Sequence, residues 1–213
     1  MRAVRATEIA TLAMRQPTTQ TLYSYWNRLR AGRLAPHRLE IEPSRIAAVL
    51  SETFMLQRLH ADDYRYRLAG TRLCELFGSE LRGHNFLEGW NSEDRPTLQR
   101  CLASVCEQGA VVVLALAAGD QRRRLELETI LLPLLYGNGI SRVLGAMSGV
   151  SDQWPAREPI GHRRLLRAEL LWPDGRKSGL PQRAVLDAPS PAPAGVSAQR
   201  RFRVLEGGLG KRE

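Results

Sequence analysis

The chain has few cysteines, only two lysines and no long hydrophobic run. The small number of cysteines and the lack of a long hydrophobic run each exclude a class of protein. Its three cysteines, Cys74, Cys101 and Cys106, lack a Cys-x-x-Cys spacing, which argues against a disulfide framework and a zinc site. The longest apolar runs, near residues 111 and 130, are too short to cross a bilayer. The N-terminus has no apolar segment before a small-residue cleavage site. We therefore expect a cytoplasmic protein without membrane insertion.

Motifs of the common enzyme classes are also absent from the sequence. It contains no Gly-rich phosphate loop, no GxSxG, no HExxH and no cluster with metal-ligand spacing. Asp62 and Asp63 are adjacent in a predicted hairpin turn, where Asp is favoured for local backbone hydrogen bonds. His84 is either a turn residue or a pH-sensing group near a pocket. We expect no enzyme, no metal and no cofactor, with a small-molecule enzyme on an α+β barrel as one alternative.

The formal net charge of +9 comes from the two ends of the chain. Residues 1–36 and 151–213 each carry an excess of five positive charges, whereas residues 37–150 sum to −1. Basic ends attract nucleic acid or anionic surfaces through salt-sensitive fields, so a protein that binds such surfaces is a second alternative. Because arginine replaces lysine almost everywhere, solvated ends shaped by genome composition are the simpler interpretation. A nucleic-acid partner is therefore not expected.

A helix with one apolar face is predicted from Thr18 to Arg30. The apolar residues of that face are Leu22, Tyr25, Trp26 and Leu29. Such a face must pack on the sheet, on a second copy of the chain or on a partner. We expect a homodimer with two-fold symmetry through this helix. A shorter helix should follow from Pro43 to about Val49.

Five antiparallel strands are predicted from the alternation of apolar and polar residues. They are residues 53–60, 64–69, 110–118, 122–132 and 141–150. In the second strand, Tyr64, Tyr66 and Leu68 should share the buried face. In the fourth strand, Glu126 and Glu128 should lie on a face that contacts water.

Short helices should connect the second and third strands. The first is expected from Gly70 to Phe77, ended by Gly78, and a turn of helix should follow at residues 83–90. A longer helix, capped by Asn91 or Ser92, should run to Gly109.

The C-terminal third gives a weaker signal. Residues 162–172 fit neither the helical nor the strand period, so a strand and a short helix both stay open. The Pro-rich and Ala-rich stretch from residue 187 cannot bury enough apolar surface to fold. The predicted organisation is a flexible N-terminus (1–17), a flanking amphipathic helix (18–34), a globular domain (35–152), a weakly ordered extension (153–186) and a disordered basic tail (187–213).

The order of these elements and a set of spaced residues resemble the PAS family. The segment YRYRLAGTRLCELFGSELRGHNFLEGW is similar to the family's stretch in which a Gly-started helix ends in Phe-Gly before Leu-x-Gly-x-x-Phe. The matching residues are Gly70, Leu73, Phe77, Gly78, Leu81, Gly83 and Phe86. The chain most resembles bacterial short, mostly single-domain PAS proteins with a Tyr-x-x-Trp helix, here Tyr23 and Trp26, over residues 18–150. The resemblance implies an α+β fold with a five-stranded antiparallel sheet, short helices over one face and an N-terminal flanking helix.

Membership of that family implies a sensory or protein-interaction module in a signalling pathway, with its output supplied by a separate protein. Flavin-adduct chemistry would need a reactive Cys in a motif such as Asn-Cys-Arg-Phe-Leu-Gln, where this chain reads GHNFLEGW. A haem-binding member would place a His ligand between Asp94 and Gln108, which contains none. The predicted interior is apolar and is compatible with a small apolar ligand. The residues expected to line its pocket are Leu73, Phe77, Phe86, Trp90, Leu98, Cys101 and Leu127.

Overall fold

Seven strands form one antiparallel sheet in the computed structural model, which describes residues 13–119, 124–150, 159–173 and 183–187. In chain order the strands are β1 (Thr53–His60), β2 (Asp63–Ala69), β3 (Val111–Ala118), β4 (Leu125–Tyr136), β5 (Gly139–Gly149), β6 (Arg163–Leu171) and β7 (Arg183–Asp187). Their order across the sheet is β2-β1-β5-β4-β3-β6-β7. The five predicted strands are confirmed, and β6 and β7 extend the sheet beyond them.

α-Helices and 3-10 segments accompany the sheet in the described part of the chain. The helices are α1 (Pro17–Arg30), α2 (Thr71–Phe77) and α3 (Arg95–Gln108), and the 3-10 segments are Arg38–Glu40 and Pro43–Glu52. Helices α2 and α3 end at Gly78 and Gly109, both in the left-handed conformation with φ of 67°, as predicted. No helix in the described ranges is long and apolar enough to span a bilayer.

The start of α3 differs from the prediction. The residue before its first turn is Asp94, and its side chain makes no capping bond to the helix. Instead, Asp94 Oδ2 accepts a 2.8 Å hydrogen bond from the backbone N–H of Leu165 in β6. The prediction of Asn91 or Ser92 as the cap was therefore wrong. The side chain of Asp94 joins the helix to β6, a segment for which the sequence left strand and helix open.

Each face of the sheet buries an apolar core. The inner core lies under α2, α3 and residues 81–90, and it receives Leu114, Leu127 and Leu131 from the central strands. The outer core lies under α1 and the 3-10 segments, and the central strands contribute Val113, Ile130 and Leu132 to it. Since successive side chains of a strand point to opposite faces, β3 and β4 supply both cores.

Glu128 in β4 holds the N-terminal end of α1 against the outer face. Its carboxylate accepts hydrogen bonds from the backbone N–H of Arg15 (2.8 Å) and Gln16 (3.0 Å), and from the Thr19 hydroxyl. These two N–H groups directly precede the first helical residue, Pro17, and the positive end of the helix dipole there also favours a carboxylate. Glu128 is only 4% exposed, so its predicted place on a wet face was wrong, whereas Glu126 is exposed as predicted.

The apolar face of α1 packs on the chain's own sheet. Leu22, Tyr25 and Trp26 are buried and Leu29 is partly buried in the outer core. The indole Nε1 of Trp26 donates a 2.8 Å hydrogen bond to the carbonyl of Pro133 in β4. The apolar face is therefore already covered, which removes the reason for predicting a homodimer through it.

Two residues of the predicted N-terminal segment are buried. Ala13 and Met14 are buried in the outer core, although residues 1–17 were expected to form a flexible N-terminus. The 3-10 segment Pro43–Glu52 stands where a short helix was predicted. Residues 1–12 and 188–213 lie outside the described residues.

A β-bulge in β2 displaces one predicted core residue. Met55 pairs with Leu68 while Leu56 pairs with Tyr66, so Arg67 is an extra residue between the two pairs. Such an insertion reverses the alternation beyond it. Leu68 is consequently 54% exposed, and its predicted place beside the buried Tyr66 was wrong.

A second bulge explains why residues 162–172 fitted no period. Strand β6 pairs with β3, but Leu116 faces Leu165 and Ala115 faces Arg167, which leaves Leu166 unpaired. Inner-core residues are therefore odd-numbered before the bulge and even-numbered after it, as Leu165 and Leu170 show. The extension predicted to be weakly ordered over 153–186 thus contains paired strands at 163–171 and 183–187, while its residues 153–158 and 174–182 lie outside the described ranges.

Glu128→Ala should lower the free energy of unfolding by about 2–3 kcal/mol, because it removes the acceptor of two partly buried backbone N–H groups and of the buried Thr19 hydroxyl. Urea unfolding followed by circular dichroism measures the change. Glu126→Ala is the matched control on the same strand: its exposed pair with Arg124 at 3.6 Å predicts a loss under about 0.5 kcal/mol. Equal losses in the two variants would contradict the anchoring role of Glu128.

Candidate functional site

Residues 83–90 run along the edge strand β2 and cover the inner core. The backbone N–H of Gly83 donates to the Tyr66 carbonyl (2.8 Å), and the N–H of Tyr66 donates to the His84 carbonyl (3.0 Å). The N–H of Phe86 donates to the Tyr64 carbonyl at 2.8 Å. Gly83 has a φ of 88°, in the left-handed region that favours glycine. The segment is a series of turns, not the helical turn that was predicted.

Asn85 fixes this segment through its side chain, a role that the sequence did not suggest. Its Oδ1 accepts hydrogen bonds from the N–H groups of Tyr64 (3.2 Å) and Leu87 (3.1 Å), and its Nδ2 donates to the Asp62 carbonyl (2.9 Å). The amide thus joins the β1–β2 turn to the covering segment. Phe86, between these anchors, is held inside the inner core.

Four aromatic rings from three elements pack together in the inner core. Phe54 meets Tyr66 edge-on at 5.5 Å between centroids and stacks on Phe86 at 6.0 Å, and Phe86 contacts Trp90 at 5.8 Å. The Trp90 indole is satisfied by a 2.9 Å hydrogen bond to the Phe86 carbonyl. Gly145 in β5 makes room for Phe54, since a Cβ there would lie 2.3 Å from the ring.

All seven residues predicted to line a pocket meet in this inner core. Six of them are buried and Phe77 is partly buried; the six are Leu73, Phe86, Trp90, Leu98, Cys101 and Leu127. Burial raises the pKa of the Cys101 thiol to about 12 and that of Cys106 to about 11. The predicted lining residues are therefore neighbours, and their contact with a ligand remains a prediction.

One charged side chain, Arg163 at the start of β6, also lies in the inner core. It is 5% exposed. Its guanidinium carbon lies 4.8 Å from the ring centroid of Phe77 and 5.0 Å from that of Trp90, within cation–π range. Nη2 donates to the backbone carbonyl of Glu88. Its Nε and Nη1 are buried and have no hydrogen-bond partner among the described residues.

The Tyr66 hydroxyl is close to this guanidinium. It is buried and makes no hydrogen bond of full geometry in the described part of the chain. Burial raises the pKa of Tyr66, while the charge of Arg163 and a hydrogen-bonding interaction with it oppose the rise. Burial also lowers the pKa of Arg163, against the electrostatic contributions of Tyr66 and Glu88. The two side chains form a polar point within an otherwise apolar core.

The backbone of residues 159–163 holds Arg163 in place. Ile160 N–H donates to the Leu76 carbonyl (2.7 Å), and Arg163 N–H donates to the Gly89 carbonyl (2.8 Å). Gly89 has a φ of 72°, and a Cβ there would lie 2.9 Å from Arg163 Nη2. The positive φ favours glycine at 89, and a side chain there would displace the guanidinium of Arg163.

Sequence reasoning missed Arg163 because nothing distinguishes it from the nearby Arg164 and Arg167. It lies in the segment whose period is broken by the β6 bulge, so its inward direction could not be read. His84, by contrast, is exposed, with its ring 3.5 Å from the Glu88 carboxylate, and does not enter the core. Within the described ranges, no group of three or more His, Cys, Asp and Glu is placed to hold a metal ion.

Comparison with known proteins gives a family match that covers most of the described residues. No curated protein matches the sequence. A chain solved in work described as "Flavin Analogue Sheds Light on Light-Oxygen-Voltage Domain Mechanism" is similar, with 18% identity and a TM-score of 0.39, over 52% of this chain and 87% of that chain. A family model described as "PAS domain" matches residues 14–148. Because that match spans more than half of the sequence, the protein belongs to the PAS domain family.

Proposed function

We propose that this PAS domain is a sensory and protein-interaction module that detects a small molecule in its inner core and acts on a separate output partner through α1. The observation that carries the proposal is the arrangement of two adjacent residues in β4. Leu127 is buried in the inner core, and Glu128 anchors α1 on the outer face. One strand therefore contacts both the candidate ligand site and the candidate output element.

Movement of β4 would change the contacts on both faces of the sheet. The interior is close-packed, and such interiors transmit displacement instead of absorbing it. A ligand that requires Leu127 to shift would also displace the Glu128 carboxylate, which has to stay within hydrogen-bond distance of Arg15 and Gln16. A ligand that binds one arrangement better shifts the population towards it. The docked position of α1 would then depend on whether the ligand site in the inner core is occupied.

Helix α1 is suited to such a role by its boundaries. Its C-terminal end is followed by two residues in the left-handed conformation, Ala31 with φ of 48° and Gly32 with φ of 81°, so the helix is separated from the first 3-10 segment by a turn. Its attachment combines the Glu128 anchor, the Trp26 hydrogen bond, one apolar face, and hydrogen bonds from the Thr18 hydroxyl to Glu52 (2.6 Å) and from the Glu42 N–H to the Tyr25 hydroxyl (2.8 Å). A docked element of this kind can open locally, at a free energy up to that of global unfolding.

The chemistry of the inner core supports a module that is not an enzyme. Burial raises the pKa values of Cys101, Cys106 and Tyr64, that of Tyr64 to about 12. These groups stay protonated near pH 7, so none is an activated nucleophile or base. A bacterial source, a cytoplasmic location and homodimerization are expectations from the sequence. The apolar face of α1 packs on the chain's own sheet and therefore gives no support to the homodimer.

Native protein at pH 8 should expose one reactive thiol, Cys74, to Ellman's reagent. Cys74 is half-buried, whereas Cys101 and Cys106 are buried, with pKa values that leave about one thiolate in a thousand or fewer. The three cysteines should all react in denaturant, and Cys74→Ser should remove the fast reaction of the native protein. Labelling of Cys101 or Cys106 as fast as Cys74 would indicate an activated thiol and count against the non-catalytic assignment.

Leu127→Ala should weaken the docking of α1 more than Leu116→Ala does. Both leucines are fully buried in the inner core and face each other across β3 and β4, so both variants should lose about 2–5 kcal/mol of stability. Only Leu127 is next to Glu128. We expect the amides of residues 21–30 to exchange roughly tenfold faster in Leu127→Ala than in Leu116→Ala, equivalent to ~1.4 kcal/mol of weaker docking.

Hydrogen exchange followed by mass spectrometry measures this difference without any ligand. Exchange in α3 serves as the internal reference for global opening. Equal exchange of α1 in the two leucine variants would show that the inner core is not coupled to α1 through β4, and the proposed signalling route would fail.

A further inference from the structure

We propose that Arg163 and Tyr66 form the anion-binding end of the ligand site, and that the ligand is an organic monocarboxylate with an apolar body. Its carboxylate would meet the guanidinium and the phenolic hydroxyl, and its apolar body would lie against the inner core. The proposal deepens the sensory function given above and rests on it. Arg163 lies beyond residues 14–148, which match the family model, whereas Tyr66 lies within them.

The first argument is the unbalanced charge of Arg163. A buried guanidinium is stable only when it is paired and its N–H donors have acceptors. Here a single backbone carbonyl, that of Glu88, accepts from Nη2, and Nε and Nη1 have no acceptor among the described residues. The Glu88 carboxylate contributes some opposing charge, but its side chain is 64% exposed. A bound anion would supply the missing acceptors and the missing charge.

The second argument is the chemistry of the unpartnered atoms. Arg163 offers only donors, and a Tyr hydroxyl can donate as well as accept. Two oxygens of one carboxylate can accept from both groups, and hydrogen bonds between ionised partners are the stronger ones. The rings of Phe77 and Trp90 flank the guanidinium and exclude water from it. The surroundings thus favour a ligand with one polar end.

The third argument sets the charge of the ligand at one. The site contains one buried cation and one neutral hydroxyl, and Tyr66 stays neutral because burial raises its pKa. A doubly charged phosphate would bring one uncompensated negative charge into the core, which is strongly unfavourable. A monocarboxylate balances Arg163 one to one.

The fourth argument is that the site is already positioned. Arg163 is fixed through its backbone by Gly89, and Tyr66 through its backbone by Gly83 and His84. Groups held in place before binding lose little entropy when the ligand arrives. Aromatic contacts of Tyr66 with Phe54 and Phe86 hold the phenol ring itself.

Thermal unfolding with two matched pairs of probes tests the proposal: hexanoate against hexanamide, and benzoate against benzamide. The uncharged amides have the same apolar bodies. At least one acid should raise the Tm of the wild type by about 5 °C when present about 100-fold above its Kd, and its amide should not. Absence of a shift with both acids at roughly 10 mM, which is about 100-fold above a Kd of roughly 0.1 mM, would overturn the proposal. An equal shift with acid and amide would overturn it as well.

Three variants assign the effect to the site. Arg163→Met should lose the acid-induced shift, yet its ligand-free Tm should be no lower than that of the wild type, because an unpaired buried charge is removed. Arg164→Met, at the exposed neighbouring position of β6, is the control and should keep the full shift. Tyr66→Phe should weaken acid binding by about tenfold, the equivalent of one hydrogen bond. An undiminished acid-induced Tm shift in Arg163→Met would show that the acid binds elsewhere and would contradict the proposal.

The failure of this proposal is distinguishable from failure of the sensory function. The comparison of Leu127→Ala with Leu116→Ala uses no ligand, so a faster α1 exchange in the first variant would stand even if no carboxylate bound. Conversely, an Arg163-dependent Tm shift with equal exchange in the two leucine variants would keep the carboxylate site and reject the route to α1.

Discussion

The alternation of side chains along β4 is the constraint on which the rest of the structure depends. Leu127 and Leu131 enter the inner core, while Glu128, Ile130 and Leu132 meet the outer core and α1. A strand buried on both faces cannot slip by one residue without exchanging the two sets. This register therefore determines which β4 residues face the candidate ligand site and which contact the N-terminal helix. In the proposed mechanism, a displacement of β4 would change the contacts on both faces.

Two buried charges occupy opposite faces of this sheet, and they differ in how well they are satisfied. The carboxylate of Glu128 accepts from two backbone N–H groups and a hydroxyl, so its burial is balanced by the helix that it anchors. Arg163 has one carbonyl partner and two aromatic neighbours. A fully satisfied buried charge fixes structure, whereas a partly satisfied one leaves donors free for a ligand. This contrast supports the proposal that Glu128 belongs to the output side and Arg163 to the input side.

The sequence predicted those parts of the fold in which local pattern and final contacts agree. The strands β1 to β5, the helix α1 and the glycine ends of α2 and α3 follow from period and from glycine chemistry, and the inner-core residues follow from the same periods. The misses have two physical causes. Bulges at Arg67 and Leu166 reverse the side-chain alternation, so Leu68 and the β6 residues were misplaced.

The other misses come from contacts between residues distant in the sequence. In the sequence, Glu128 has the pattern of a solvent-facing strand residue. Its hydrogen-bond donors, the N–H groups of Arg15 and Gln16, lie more than a hundred positions earlier in the chain. Arg163 looks like a member of a basic run until β6 pairs with β3 and turns it inward. Charged residues of this kind carry no local signal, because their burial depends on partners that only the tertiary fold brings near. The apolar interior predicted from sequence therefore omitted Arg163.

The most direct test of the account is a two-dimensional NMR titration that follows the indole N–H signals of Trp90 and Trp26, assigned with Trp90→Phe and Trp26→Phe. These indoles report on opposite faces of the sheet, since Trp90 donates to the Phe86 carbonyl in the inner core and Trp26 to the Pro133 carbonyl on the outer face. The account predicts that the acid that shifts the Tm moves both signals with the same apparent Kd. A shift of the Trp90 signal while the Trp26 signal stays fixed at saturation would contradict it.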